Sequence, residues 1–274
     1  MCKSRIVTGA FESMNHKKHE IILILSNDLW EDIHRWHTNC HIFAACKHLA
    51  ETRPQWLLKE DSHDPALCGN LELLKWMWSS VYCKWSPKVC VSAARGGHLE
   101  VLKWARANGC PWDEETCTGA ALGGHLEVIQ WARANGCLWD DETCADAAKG
   151  GNLEVLQWAR ANGCPWDKWT CANAAGRGHM KVLQWARENG CPWDEWTCMN
   201  AAKYGHLEAL QWAHANGCPW NVNTCAFAAK GGHLEVLKWA RASGCPWDKY
   251  TCIYARRDGH CDVLKWAFAN GCLG

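Results

Sequence analysis

The stretch "TCTGAALGGHLEVIQWARANGC", residues 116–137, carries two short helical patterns divided by a pair of glycines. Asp113 stands just ahead of it as an N-cap, and Glu114 and Glu115 fall in the first turn, where acids favour the positive end of the helix dipole. Gly123-Gly124 ends this first helix. A second helix is predicted from about His125 to Asn135, with Leu126, Val128, Ile129, Trp131 and Ala132 inside and Glu127, Gln130 and Arg133 outside. Gly136 closes it, glycine being the residue that takes a left-handed conformation at a helix end most readily. Two helices this short cannot bury their own apolar faces, but copies stacked side by side can.

Copies are present. The pair Gly-His recurs with His at 98, 125, 179, 206, 233 and 260, a step of 27 residues, and Asn152 fills the one gap. Seven consecutive 27-residue units occupy residues 86–274, and a weaker copy, "GNLELLKWMW" (69–78), lies one residue out of register in a degenerate repeat over residues 61–85. This copying explains a composition of 21 Trp and 20 Cys beside only 4 Phe and 4 Tyr. A fixed period of this length predicts an all-α solenoid of stacked helix-turn-helix repeats.

The unit resembles the ankyrin repeat, whose pattern runs Thr-Pro-Leu-His-x-Ala-Ala-x-x-Gly-His-x-x-Val-Val-x-x-Leu-Leu-x-x-Gly-Ala. The likeness rests on Thr116, Ala120, Ala121, Gly124, His125, Leu126, Val128, Ile129 and Gly136, and on their counterparts in the other units. Cys117 stands where the family has proline, Trp131 and Ala132 replace two leucines, and Cys137 replaces alanine. The unit is also shorter than the family's, and the loss falls between Gly109 and Thr116, where ankyrin repeats project a hairpin finger. The resemblance therefore implies an ankyrin-type solenoid with trimmed fingers, its first helices lining a concave surface.

The thiols admit three readings: packing, metal ligation, or redox and nucleophilic chemistry. They recur seven apart, as Cys110/Cys117 and Cys137/Cys144, without the tight pairs or nearby histidine that structural zinc sites favour. Cys117 lies at a helix N-terminus, which can activate a thiol. A catalytic residue is needed once, however, and this one recurs in every unit, so small buried hydrophobes are the favoured reading. The tryptophans form two ladders, one on the second helix (Trp104, Trp131, Trp158) and one in the connection (Trp112, Trp139, Trp166), read as packing between units or, for the second, as an aromatic groove. No single-copy catalytic constellation, cofactor motif or metal site stands out, so a non-enzymatic protein is expected.

With 29 basic and 29 acidic side chains, nothing global steers the chain towards nucleic acid or an anionic membrane. The apolar run Ile21 to Leu25 is too short for a signal-peptide core, and no segment approaches the length of a spanning helix. An intracellular, reducing setting is expected, cytoplasmic or nuclear.

Positions that stay constant between units are dictated by stacking, so those that vary are where a partner can be recognised. Three vary along one face of the first helix. The first ladder is Glu115, Glu142, Trp169, Trp196, Asn223, Tyr250; the second is Gly119, Asp146, Asn173, Asn200, Phe227, Tyr254; the third is Leu122, Lys149, Gly176, Lys203, Lys230, Arg257. They begin small and acidic and turn aromatic and basic from the fourth unit. Trp169, Trp196, Phe227, Tyr250 and Tyr254, with Lys203, Lys230 and Arg257, have the composition of an interface hot spot and form the candidate site for a protein partner, against the alternative of a merely solvated face. Single-stranded nucleic acid is disfavoured by the zero net charge.

Residues 1–20 are read as a flexible N-terminus and residues 21–60 as a small helical module, in which Ser26 or Asn27 and then Asn39 begin two helices. The module reads either as a cap for the array or as a degenerate F-box. That family has Leu-Pro-x-Asp/Glu-Leu/Val and later Val-Cys-Lys; Leu25, Asp28, Leu29 and Ile33 resemble the first part, and Cys46 and Lys47 the second, with Ser26 and Ala45 departing from it. The resemblance implies a Skp-family adaptor as partner and the repeats as substrate receptor of a cullin ubiquitin ligase.

Overall fold

The computed structural model describes residues 65–79 and 85–272. All of them belong to one compact unit, Glu60–Gly274; a second unit, Met1–Lys59, lies outside the described residues. The F-box-like residues Leu25, Asp28, Leu29, Ile33, Cys46 and Lys47, and with them both readings of residues 21–60, fall outside too.

The described residues form fifteen helices and no strand. α1 (Leu71–Ser79) is followed by seven helix pairs: α2 (Pro87–Arg95) and α3 (Leu99–Ala107), α4 (Glu114–Gly123) and α5 (Leu126–Ala134), α6 (Asp141–Gly150) and α7 (Leu153–Ala161), α8 (Lys168–Gly176) and α9 (Met180–Glu188), α10 (Glu195–Lys203) and α11 (Leu207–Ala215), α12 (Val222–Lys230) and α13 (Leu234–Ala242), and α14 (Lys249–Arg257) and α15 (Cys261–Ala269). Numbering the units from residue 86, each supplies one first helix and one second helix.

Small residues decide how the pairs stack. Each first helix packs along the first helix of the next unit far more extensively than second helices pack on each other. The first helices present Ala120, Ala121, Ala147 and Ala148, all fully buried, so their backbones approach closely. A Cβ at Gly119 would stand 3.0 Å from the Val91 carbonyl oxygen of the preceding unit. The second helices contribute the larger buried groups, Leu102, Ile129, Leu156, Leu183, Leu210 and Leu237, one in each of units one to six, in a core that reaches unit seven, where Cys252, Ala267 and Cys272 form a small cluster of their own. At roughly 2 kcal/mol for each such side chain, that column drives stacking and not the folding of any unit alone.

Candidate partner-binding face

The first helices position the candidate residues. Trp169, Trp196 and Tyr250 occupy the second position of α8, α10 and α14; Phe227 and Tyr254 the sixth of α12 and α14; Lys203, Lys230 and Arg257 the ninth of α10, α12 and α14. Three aromatics are fixed by their helix caps, since the backbone N–H of Trp169, Trp196 and Tyr250 donates to the Oδ1 of Asp167, Asp194 and Asp248 at 2.9, 3.0 and 3.0 Å. Lys168 ties two units together by pairing with Asp194 at 2.7 Å.

The rings stand in single file across four units. Trp169 and Trp196 are 5.5 Å apart between ring centres, Trp196 and Phe227 6.3 Å, and Phe227 and Tyr254 6.4 Å, with Tyr250 flanking Tyr254 at 6.0 Å. Trp169 and Tyr250 are 39% and 46% exposed, well open to a partner, and the other three are half-buried. Cations lie over the file: Lys230 Nζ is 5.5 Å from the Phe227 ring and 6.0 Å from Tyr254, and the Arg257 guanidinium is 5.0 Å from Tyr254. Arg257 is also held by a two-pronged pair with Asp258, at 2.7 and 3.0 Å.

Lys203 departs from the sequence grouping, for its Nζ lies 4.8 Å from the ring of Tyr204, with the Arg177 guanidinium 5.7 Å from the same ring. Tyr204 is 46% exposed and belongs to the face, but the three ladders omit it. The signal was a fourth variable position, reading Gly96, Gly123, Gly150, Arg177, Tyr204, Gly231, Asp258, which looked like helix termination because glycine fills most of it.

The thiols are arranged differently from their sequence spacing. Cys110 and Cys117 do not pair; each helix cysteine instead meets the loop cysteine 20 residues later in its own unit, Cys117 with Cys137, Cys144 with Cys164 and Cys171 with Cys191. All six are buried and none forms a disulfide. The loop thiols close each unit by donating to the carbonyl of its N-cap, Cys137 to Asp113 and Cys164 to Asp140, both at 3.2 Å. A hydrogen bond to the partner thiol and then burial push Cys117, Cys144, Cys171, Cys198 and Cys225 well above the ordinary thiol range, while the same bond lowers the loop partners Cys137, Cys191 and Cys245, so the thiols at the helix N-termini are not the activated ones. Among the described residues no three His, Cys, Asp or Glu side chains stand close enough to share a metal ion.

Both tryptophan ladders pack at the joints. Trp112 meets Trp131 of the next unit edge to face at 5.8 Å, and Trp139 meets Trp158 at 5.7 Å. The second-helix arginine covers the loop indole, Arg133 lying 4.1 Å from the Trp139 ring while its Nη1 donates to the Cys137 carbonyl. One face of the loop indole is thus taken by an arginine and its edge by a second indole, which accounts for this ladder by packing. Asp113 and Asp140 hold the N-cap position in extended backbone, but their carboxylates cap nothing and Oδ1 of each is buried without a partner, unlike Asp167, Asp194 and Asp248.

No curated protein matches the chain. Among solved structures, the human ASB11 ankyrin repeat domain is similar over 59% of this chain and 85% of its own, at 18% identity and a TM-score of 0.46. Residues 198–241 match the family model for ankyrin repeats in many copies. Ankyrin repeats are in general protein–protein interaction modules, and no described helix is long and apolar enough to cross a membrane. The matched residues 198–241 contain the 27-residue unit that recurs from Ser86 onward.

Proposed function

We propose that the stack is a non-enzymatic binding protein that takes a protein partner along its first-helix face, the concave one in this family, centred on Trp169, Trp196, Phe227, Tyr250 and Tyr254 with Lys203, Lys230 and Arg257. The observation that carries the reading is the unbroken file of rings on positions the stack leaves free, with cations laid over it; clustered aromatics and arginine dominate binding energy at protein interfaces. An intracellular, reducing setting fits the sixteen described cysteines, all free thiols. Replacing Trp196 and Tyr254 together by alanine is expected to weaken partner capture from a cell extract by tenfold or more, the scale of about 1.4 kcal/mol, with thermal unfolding little changed. Unaltered capture by a folded variant removes the reading.

A narrower version, a substrate receptor of a cullin ubiquitin ligase, rests on the F-box resemblance of residues 21–60. It adds a Skp-family adaptor as a second partner and keeps the same face for the substrate. Binding of the full chain to that adaptor separates the two versions.

A further inference from the structure

We propose that the first-helix face accepts its partner in one direction only: an extended segment that alternates apolar and acidic residues over units four to seven and turns basic over units two and three. The inference rests on the protein-partner reading above and adds its chemistry and polarity.

Spacing is the first argument. An extended chain places every second side chain on one side at about 6.6 Å, close to the 5.5, 6.3 and 6.4 Å steps between Trp169, Trp196, Phe227 and Tyr254. A helix offers similar spacing at every fourth residue, but that row winds off by about 40° per step, so fewer of its side chains can meet four successive rings. Alternate apolar side chains of a strand can therefore sit between or upon the four rings in turn.

Charge is the second. Among the described residues, Arg177, Lys203, Lys230, Lys249 and Arg256 have no carboxylate within ion-pair distance, so although Glu195 and Asp258 lie in the aromatic half, cations are in excess there for acids placed between the apolar anchors. In units two and three acids take the positions of the rings and of the first-turn lysines Lys168 and Lys249. Glu115 and Glu142 stand where Trp169 and Trp196 stand later, Glu114 and Asp141 stand where Lys168 does, and all four are exposed. Asp146 takes the place of Phe227 and Tyr254, with Lys149 at 3.7 Å. The change falls between α6 and α8, so a partner laid the wrong way round meets like charge at both ends, a penalty that enforces direction. A nucleic-acid strand following the cations would run its phosphates onto Glu142 and Glu115, which disfavours it.

Random 16-residue peptides, roughly 50 Å when extended, can be selected by display on the full chain. The expected winners alternate apolar and acidic residues at one end and are basic at the other. A synthetic winner is expected to lose tenfold or more in affinity on Trp196→Ala and on the exposed Tyr250→Ala, to weaken likewise when its sequence is reversed, and to weaken on Glu142→Lys, with thermal unfolding tracked for each variant. Winners that need Trp196 but show no charge order, or that bind equally when reversed, overturn the direction while leaving the face intact. No enrichment, or winners indifferent to Trp196 and Tyr250, removes both readings. Tight binding of oligo(dT) at the face, competing with the winners, makes it a nucleic-acid surface and overturns the proposal.

Discussion

The Gly-His pair works across the joint between units. Gly97 and Gly124 take φ of +77° and +79°, which ends the first helix and turns the chain into the second. His125 then reaches back to unit one, where its Nε2 donates to the Arg95 carbonyl at 3.1 Å and its ring lies on Gly97. A Cβ on Gly97 would stand 2.5 Å from Nδ1 of that ring, so glycine is required twice over, by its backbone angle and by its neighbour. Gly136 separates the two requirements, having φ of +84° but nothing within 4 Å of an added Cβ. Gly136→Ala is expected to cost about 1–2 kcal/mol, the left-handed strain alone. Gly97→Ala should cost roughly 1 kcal/mol or more beyond that, because the imidazole must also leave its carbonyl. Urea denaturation of both variants measures the gap, and pairing Gly97→Ala with His125→Ala should close most of it. Equal costs for the two glycines would remove the inter-unit role. The sequence made the glycine's turn legible, through its place after Gly123. It hid the histidine's partner, which lies 30 residues back and becomes a neighbour only once units stack; the Cys117–Cys137 contact was hidden likewise, because the whole second helix lies between the two thiols and only its folding back brings them together.

Among elements, the short connection between units holds the place of the absent finger. Its tryptophan is wedged between the arginine of its own second helix and the indole of the next one, as Arg187, Trp193 and Trp212 illustrate at 3.9 Å and 5.9 Å. The same arginine donates to the carbonyl of the loop cysteine, Arg187 to Cys191 at 2.5 Å. Unit five breaks the pattern with His214, whose imidazole stacks on Trp220 at 3.7 Å and 17° but whose bond to the Cys218 carbonyl is missing. His214→Arg should restore both interactions and raise stability by about 0.5–1 kcal/mol, read as a higher thermal midpoint. A lower or unchanged midpoint would mean the histidine stack is already the equal of the arginine. Both tryptophan ladders were visible in the sequence as a 27-residue period, and so was their place between units. The arginine was not singled out, since on the second helix Arg106, Arg133 and Arg160 fall on the stripe that periodicity assigns to water.

At the scale of the whole stack, histidines tie units to the one before them, and at two neighbouring joints, those of His206 and His233, protonation bears on stability. His206 is held below the ordinary histidine value of 6.5 chiefly by burial, then by His179 and His233 beside it and by Arg177, with the Gly176 carbonyl pulling the other way. His233 is lowered too, chiefly by burial and also by His260, against the Lys203 carbonyl. A lowered value in the folded state means that the unfolded chain binds the extra proton, so stability rises with pH. The contribution is complete above the unfolded value and drains away as pH falls through 6.5 towards the folded-state value. Because each unit leans on its neighbours, losing one joint in the middle weakens the array on both sides of it. Asn152 supplies the control, since its amide spans the same joint, donating to the Ala121 and Leu122 carbonyls at 2.8 and 2.9 Å with nothing to titrate. The double variant His206→Asn, His233→Asn is therefore expected to keep its stability at pH 7.5 and to lose less of it than the parent between pH 7.5 and pH 5, measured by urea denaturation across that range. An identical loss in variant and parent would place the acid sensitivity in the carboxylates and take the histidines out of it.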